Sequence, residues 1–479
     1  MAIVDNPQQE TAYSSQSAPL IESRSVDYIP ESERHGSLFS QFTLWFGANL
    51  QITAIVTGAL AVVLGGDVFW SLIGLFIGQV LGGSVMALHA AQGPKLGLPQ
   101  MISSRVQFGV YGAVLPIILV CTMYVGFSAG GTVLAGQAIA QLANVNDKLG
   151  VMIFGVVIIG ITVCGYRVIH LLGKVASVVG IVIFFYLFFK ILYGYDIQAL
   201  LANRHFTITN FLLAVSLSAS WQIAFGPYVA DYSRYLPSKT PTGKAFLAVG
   251  LGTVIGTQAS MVLGVFAAAI AGDQFAGHEV SYIVSLGSTG LIAALLYFGI
   301  FFGKVTITAL NAYGSFMSLA TIVSGFSGKH QITPRLRLFF IIAMVGFSTL
   351  LALLGQHAFL KLFTAFLLFL LAFFTPWSAI NLVDYYLVTK GRYDLPALSD
   401  PNGRYGRWNL VGIFTYLLGV VIQLPFIATH FYTGPLVESL GGTDISWIVG
   451  LLVTGAVYYA ATKIWRPSIA AKLILPEHR

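Results

Sequence analysis

The sequence predicts an all-α membrane protein of twelve transmembrane helices, arranged as a five-plus-five inverted repeat with helices one and six broken. Three observations carry this expectation. Only 9% of the 479 residues are charged while 56% are hydrophobic, far too few charges to cover a water-soluble surface, which needs roughly 25%. Long apolar runs alternate with short polar breaks from Phe39 onward. Two of those runs, at matching places in successive five-run blocks, are interrupted by Gly, Pro and amide side chains.

The runs fall at 39–64, 68–91, 114–142, 150–167, 171–193, 210–229, 243–271, 288–322, 336–355, 357–378, 409–429 and 445–463. About 20 apolar residues suffice to cross a bilayer as a helix. None of the runs shows the period-2 alternation of a membrane barrel strand. Residues 1–35 carry no apolar run and are expected to be a disordered cytoplasmic tail without a cleavable signal; 36–479 form one transmembrane domain. Twenty of the 25 Lys and Arg residues lie in the tail, in the loops after even-numbered spans or the span ends that border them, and in the C-terminal segment. The positive-inside rule therefore places both termini in the cytoplasm, and the chain is expected as a multi-pass protein of the plasma membrane. The same distribution explains the net charge of +7 without nucleic acid as a partner; the lipid bilayer is the expected surroundings. The 51 glycines suit close helix approach in lipid. Cys121 and Cys164 lie inside apolar runs and read as small core residues, and no metal or cofactor motif is present.

Span one contains Leu44-Trp45-Phe46-Gly47-Ala48-Asn49-Leu50-Gln51-Ile52. Span six contains Ser218-Ala219-Ser220-Trp221-Gln222-Ile223-Ala224-Phe225-Gly226-Pro227-Tyr228. Proline removes a backbone donor, and polar interruptions at midplane are where secondary transporters build their sites. In span eight, Lys304, Thr308, Asn311 and Ser315 recur at i, i+4, i+7 and i+11, one helical stripe. A lysine about 16 residues from either end of the span faces a cavity or a partner rather than lipid. In span three, Tyr124 and Ser128 share one face.

These stretches resemble the nucleobase–cation symporter-1 family, and within it the purine–cytosine permease branch. Gly93-Pro94-Lys95-Leu96-Gly97-Leu98-Pro99, Ser103-Ser104-Arg105-Val106-Gln107-Phe108-Gly109, Ala230-Asp231-Tyr232-Ser233-Arg234-Tyr235 and Asp384-Tyr385-Tyr386 extend the resemblance over about residues 34–400. The resemblance implies a symporter importing a nucleobase such as cytosine or a purine, and no enzymatic activity. It implies substrate contacts at Gln51, Tyr124, Ser128, Trp221 and Asn311. Other branches carry Trp and Gln where this chain has Tyr124 and Ser128. The aromatics would stack the base and the amides would read its edge. Sodium-coupled relatives bind the ion through positions matching Gly47 and Leu50 of span one and Phe302, Val305 and Thr306 of span eight. Val305 lacks the expected hydroxyl and Lys304 adds a charge beside the site, so a proton is the expected coupling cation, with Gly47, Leu50, Lys304 and Thr306 as ion-coupling positions. The alternatives are a sodium-coupled transporter of allantoin, hydantoin or uracil, or an amino-acid symporter of the same fold. A membrane enzyme would need His or carboxylate side chains converging in the spans; His89, His170 and Asp384 are scattered near cytoplasmic ends.

Overall fold

A computed structural model describes residues 27–164, 166–327, 333–429, 431–465 and 469–476. Residues 1–26 of the expected tail lie outside the described residues. Within the expected tail, Ile29 and Arg34 are bonded to the rest of the protein. Ile29 donates its N–H to Gly97 O at 2.9 Å, and the buried Arg34 guanidinium donates to Ile29 O and Pro94 O. A buried guanidinium is held only by such acceptors.

Each of the twelve predicted runs coincides with a helix or a broken pair of helices. Span one is α1 (Leu38–Asn49) and α2 (Ile52–Val63), which meet at 59°. Then follow α3 (Val68–Ala90), α4 (Val114–Ala143), α5 (Asp147–Cys164) and α6 (Tyr166–Gly194). Span six is α7 (Ile208–Ile223), a run of turns over 224–229, and α8 (Ala230–Ser233). After them come α9 (Thr242–Ala271), the short α10 (Glu279–Gly287), α11 (Gly290–Ser327), α12 (Pro334–Gly355), α13 (Phe359–Val383), α14 (Leu410–Val421) and α15 (Ser446–Trp465). By length and apolar composition alone, seven segments among the described residues could cross a membrane, or eight with the bent pair. The rest are shorter or interrupted.

Local sequence explains the boundaries. Ser37 caps α1 in a reciprocal capping box with Ser40. The Asp67 carboxylate accepts from Trp70 N at the start of α3. Asn144 ends α4 with φ 53°, a left-handed cap that Asn tolerates. In span six, Pro227 donates no hydrogen bond, and the chain turns there instead of continuing as α-helix.

The packing obeys a two-fold exchange of spans one to five with six to ten. Span one packs on span seven (α2 on α9), and span six packs on span two (α7 on α3). Span five packs on span eight (α6 on α11), and span ten on span three (α13 on α4). Span four touches spans three and eight, and span nine touches spans eight and three. Spans three and eight, each other's counterparts, run side by side (α4 and α11). This is the inverted repeat expected from the sequence. Small residues make these approaches close: a Cβ on Gly264 of α9 would overlap the Ile55 carbonyl of α2, and one on Gly58 of α2 would overlap Met261 of α9.

Ile29 and Ile474 lie at the same end of the bundle, bonded to Gly97 and to Tyr393 and Leu395. The segment 93–109 is tucked beneath it, and buried Arg105 donates to Leu398 O at 3.0 Å and Thr321 O at 2.8 Å. Burial pushes its guanidinium down to about 10, still charged at neutral pH. Beside it Gln107 and the hydroxyls of Tyr393 and Tyr458 donate to the buried Asp384 carboxylate at 2.8–3.1 Å. At the opposite end a cavity of about 760 Å³ is lined by Val63, Leu64, Glu279, Phe359 and Lys361 among others.

Candidate functional site

The break in span one is held by Asn49, one of the amides that interrupt its apolar run. Asn49, fully buried, donates Nδ2 to Trp45 O at 2.6 Å and to Thr253 Oγ1 at 3.1 Å, and its Oδ1 accepts from Trp221 Nε1 at 2.8 Å. Its carbonyl accepts from Ser260 Oγ at 2.7 Å and from Gln51 N at 3.0 Å. Asn49 thus ties the end of α1 to α7 and α9, and the carbonyl that no longer serves a helix is satisfied by a side chain. The network continues: Thr253 donates to Gln222 Oε1 at 2.7 Å, and Gln222 Nε2 donates to Gln79 and to Thr257 Oγ1. Fully satisfied buried networks of this kind fix one arrangement of their helices. Asn49 and Gln222 stand out in sequence as amides inside apolar runs, which was the available signal.

Across the break, Lys304 of α11 reaches span one. Its ammonium, buried at 3% exposure, donates to Gln51 Oε1 at 3.1 Å and Thr53 Oγ1 at 3.3 Å. Thr53 in turn donates to Gln51 Oε1 at 2.7 Å, and Gln51 Nε2 donates to Ala48 O at 2.9 Å. Gln51 therefore has both ends of its amide engaged within the protein in this state. Asn311 differs: it is half-buried and its amide has no hydrogen-bond partner among the described residues.

The two stripes foreseen on spans three and eight face each other. Gly131 of α4 lies against Lys304 and Thr308, with its would-be Cβ 3.0 Å from Nζ and 3.5 Å from Thr308 Oγ1. Gly314 of α11 lies against the Tyr124 ring. The order is reversed along the two helices, so they are antiparallel. Ser128 lies between Tyr124 and Gly131 on the same face of α4. The hydroxyls of Ser128 and Thr308 are buried without a partner.

The aromatic residues form one cluster, but the rings of Tyr124 and Trp221 are not paired with each other. Trp221, 2% exposed, meets the edges of Phe127 and Phe225 at 5.6 and 5.8 Å. Tyr124 lies against Tyr228 at 5.6 Å, and Tyr228 against Phe225 at 5.8 Å. Phe127, Phe225 and Tyr228 thus join the two residues singled out in sequence. Phe127 occurs in an apolar run like many others and carried no signal.

The remaining positions expected to take part in ion coupling are engaged locally. The Gly47 carbonyl accepts from Leu50 N at 3.1 Å. The Thr306 hydroxyl donates to Gly303 O at 2.9 Å. Leu50 O lies 3.6 Å from where a Cβ on Gly180 of α6 would sit.

Comparison with known proteins agrees with the architecture. Residues 28–450 match the family described as permeases for cytosine/purines, uracil, thiamine and allantoin. The chain is 40% identical over 443 residues to a putative purine-cytosine permease, YxlA, of Bacillus subtilis, covering 92% of this chain and 96% of that one. It is 25% identical to the purine-cytosine permease fcyB of Emericella nidulans, covering 91% and 87%. Among solved structures, the inward-facing conformation of Mhp1 superposes with a TM-score of 0.75 at 19% identity, covering 94% of this chain and 95% of that one. Mhp1, a nucleobase-cation-symport-1 family transporter, in a closed conformation with bromovinylhydantoin bound, superposes at 0.71 and 18%, covering 93% and 96%. At such identity the likeness is one of fold.

Proposed function

The chain belongs to the family of permeases for cytosine/purines, uracil, thiamine and allantoin, and we propose that it imports a nucleobase such as cytosine or a purine together with a proton. It is a membrane permease, not an enzyme. Trp221 and Tyr124 supply stacking surface, Asn311 is the amide free to read a base edge, and Gln51 and Ser128 complete the contacts.

The observation that supports proton coupling is the bridge from Lys304 to Gln51 and Thr53. It ties span eight to the mouth of the break in span one, where a bound cation would otherwise hold the two together. Deprotonation removes a charge and a donor from this bridge, so the protonation of Lys304 and the geometry of span one are linked. Gly47, Leu50 and Thr306 flank the bridge. The Lys and Arg bias supports cytoplasmic termini in the plasma membrane, which puts the segment 93–109 on the cytoplasmic side and the 760 Å³ cavity on the external side.

Uptake of labelled cytosine and purines into proteoliposomes under an imposed pH gradient or an imposed sodium gradient tests this reading. Accumulation follows the pH gradient, and Lys304→Met abolishes accumulation while exchange of labelled for unlabelled base persists at reduced affinity. Accumulation that follows sodium and ignores pH refutes it.

A further inference from the structure

We propose that Gln423 of span eleven is a positioning residue for transport: it supplies the N–H that Pro376 lacks, and so fixes the course of span ten, whose phenylalanines back the ring against Trp221. Spans eleven and twelve, which lie outside the inverted repeat, thereby set the shape of the site. This rests on the nucleobase reading above and is independent of the coupling ion.

The helix α13 runs through Pro376 without ending. Proline has no N–H, so the carbonyl four residues earlier, Ala372 O, has no helical donor, and such a loss ordinarily kinks or breaks a helix. Gln423 Nε2 donates to Ala372 O at 2.8 Å. Its second hydrogen goes to Gly419 O at 2.9 Å. That carbonyl is left open at the end of α14, where Gln423 N turns to Val420 O instead. Both donors of one amide thus satisfy main-chain carbonyls that their own helices leave unpaired. Gln423 is fully buried, and an unpaired carbonyl at such a depth is costly. Spans eleven and twelve both reach this step through glycine. A Cβ on Gly419 would sit 2.9 Å from Pro376 Cβ, and one on Gly450 of α15 would sit 2.5 Å from Gln423 Cδ. Span twelve holds span ten a second time, where Tyr458 donates to Asp384 Oδ1 at 3.1 Å.

The part of α13 before the proline faces the aromatic cluster. Phe366 and Phe363 lie against Phe127 at 5.2 and 6.4 Å, and Phe127 meets Trp221 at 5.6 Å. Ser220, the neighbour of Trp221, donates its hydroxyl to Leu367 O. Phe366 is six residues from Ala372, about 9 Å along the helix. A change of about 10° in direction at the proline therefore moves its ring by about 1.5 Å. Proline steps are where helices bend. With Gln423 in place the step has the donor of an unbroken helix, and Phe127 and Trp221 are held from behind.

The test compares Gln423→Met, Pro376→Ala, the double variant and Tyr458→Phe in the purified full-length protein, by thermal unfolding, cytosine binding and uptake of labelled cytosine into proteoliposomes. Gln423→Met nearly keeps the volume and removes both donors; Pro376→Ala restores a backbone N–H to Ala372 O. Gln423→Met is expected to lower the unfolding temperature by several degrees, and by much less when Pro376→Ala is also present. It is expected to weaken cytosine binding about three- to tenfold, up to the worth of the lost hydrogen bond, with uptake falling in step. Tyr458→Phe loosens the same span away from the proline, so it should lower the unfolding temperature and leave cytosine affinity near that of wild type. Should Gln423→Met not fold, the double variant folds if the proline is the reason, and its failure to fold overturns the proposal. Wild-type affinity and uptake in Gln423→Met, an equal loss of stability with and without Pro376→Ala, or an equal loss of affinity in Tyr458→Phe also overturns it and leaves the nucleobase reading standing. If wild type binds no nucleobase, that reading falls and the positioning role with it, while the unfolding temperatures still decide whether Gln423 stands in for the missing N–H.

Discussion

Replacing Asn49 by alanine tests whether one amide holds the break in span one and aims Trp221 into the site. Its side chain makes three hydrogen bonds, to Trp45 O, Thr253 Oγ1 and Trp221 Nε1. In Asn49→Ala the indole N–H of Trp221 loses its acceptor in a fully buried place, at about 1–3 kcal/mol. Thr253 keeps Gln222 as a partner, so it loses only one interhelical bond, about 0.6 kcal/mol in a membrane protein. The sum is a destabilisation of about 2–4 kcal/mol, together with a freed Trp221. Thermal unfolding of the purified protein should shift downward, and all nucleobases should bind more weakly by a similar factor, since stacking barely distinguishes bases. Thr253→Val leaves the Trp221–Asn49 bond in place and should lower stability with a smaller effect on binding. Wild-type stability and affinity in Asn49→Ala would refute the reasoning, because the network would then be incidental to the break.

Trp221→Ala should weaken binding by about tenfold or more through lost stacking, whereas Trp221→Phe, which keeps a ring and loses the bond to Asn49, should cost less; competition binding separates them. Asn311→Ala should change the rank order of bases rather than weaken all alike, because a site that reads hydrogen bonds rejects mismatched analogues; a uniform loss across a panel of bases would show that Asn311 reads no edge. Gly264→Val should prevent α9 from packing on α2 at Ile55, and size-exclusion profiles in detergent should show loss of folded protein, while Gly243→Ala, in open space, should be neutral.

Much was legible in the sequence by itself. The scarcity of charge pointed to a membrane protein, because each ionised group in lipid carries a heavy desolvation cost, and the family is one of permeases. Each of the twelve apolar runs coincides with a helix or a broken pair among the described residues, as a bilayer of fixed thickness leads one to expect. Gly226-Pro227 and the amide-bearing stretch around Gln51 marked the two breaks, because proline cannot donate and polar side chains must find partners away from lipid. The i, i+4, i+7 spacing put Lys304, Thr308 and Asn311 on one face. What the sequence could not decide is which faces meet. Periodicity gives the direction of a side chain around its own helix and says nothing of the neighbour's rotation or axial register. Only the packed structure shows that Lys304 meets Gln51 and Thr53, that Asn49 is the clamp on Trp221, and that Tyr124 and Trp221 join through Tyr228 and Phe225 rather than face each other. It also shows that Ile29 and Arg34 are bonded to the rest of the protein. Each of these is a contact between segments far apart in the chain, favoured by the close approach of helices at small residues and by the pairing of most buried polar groups.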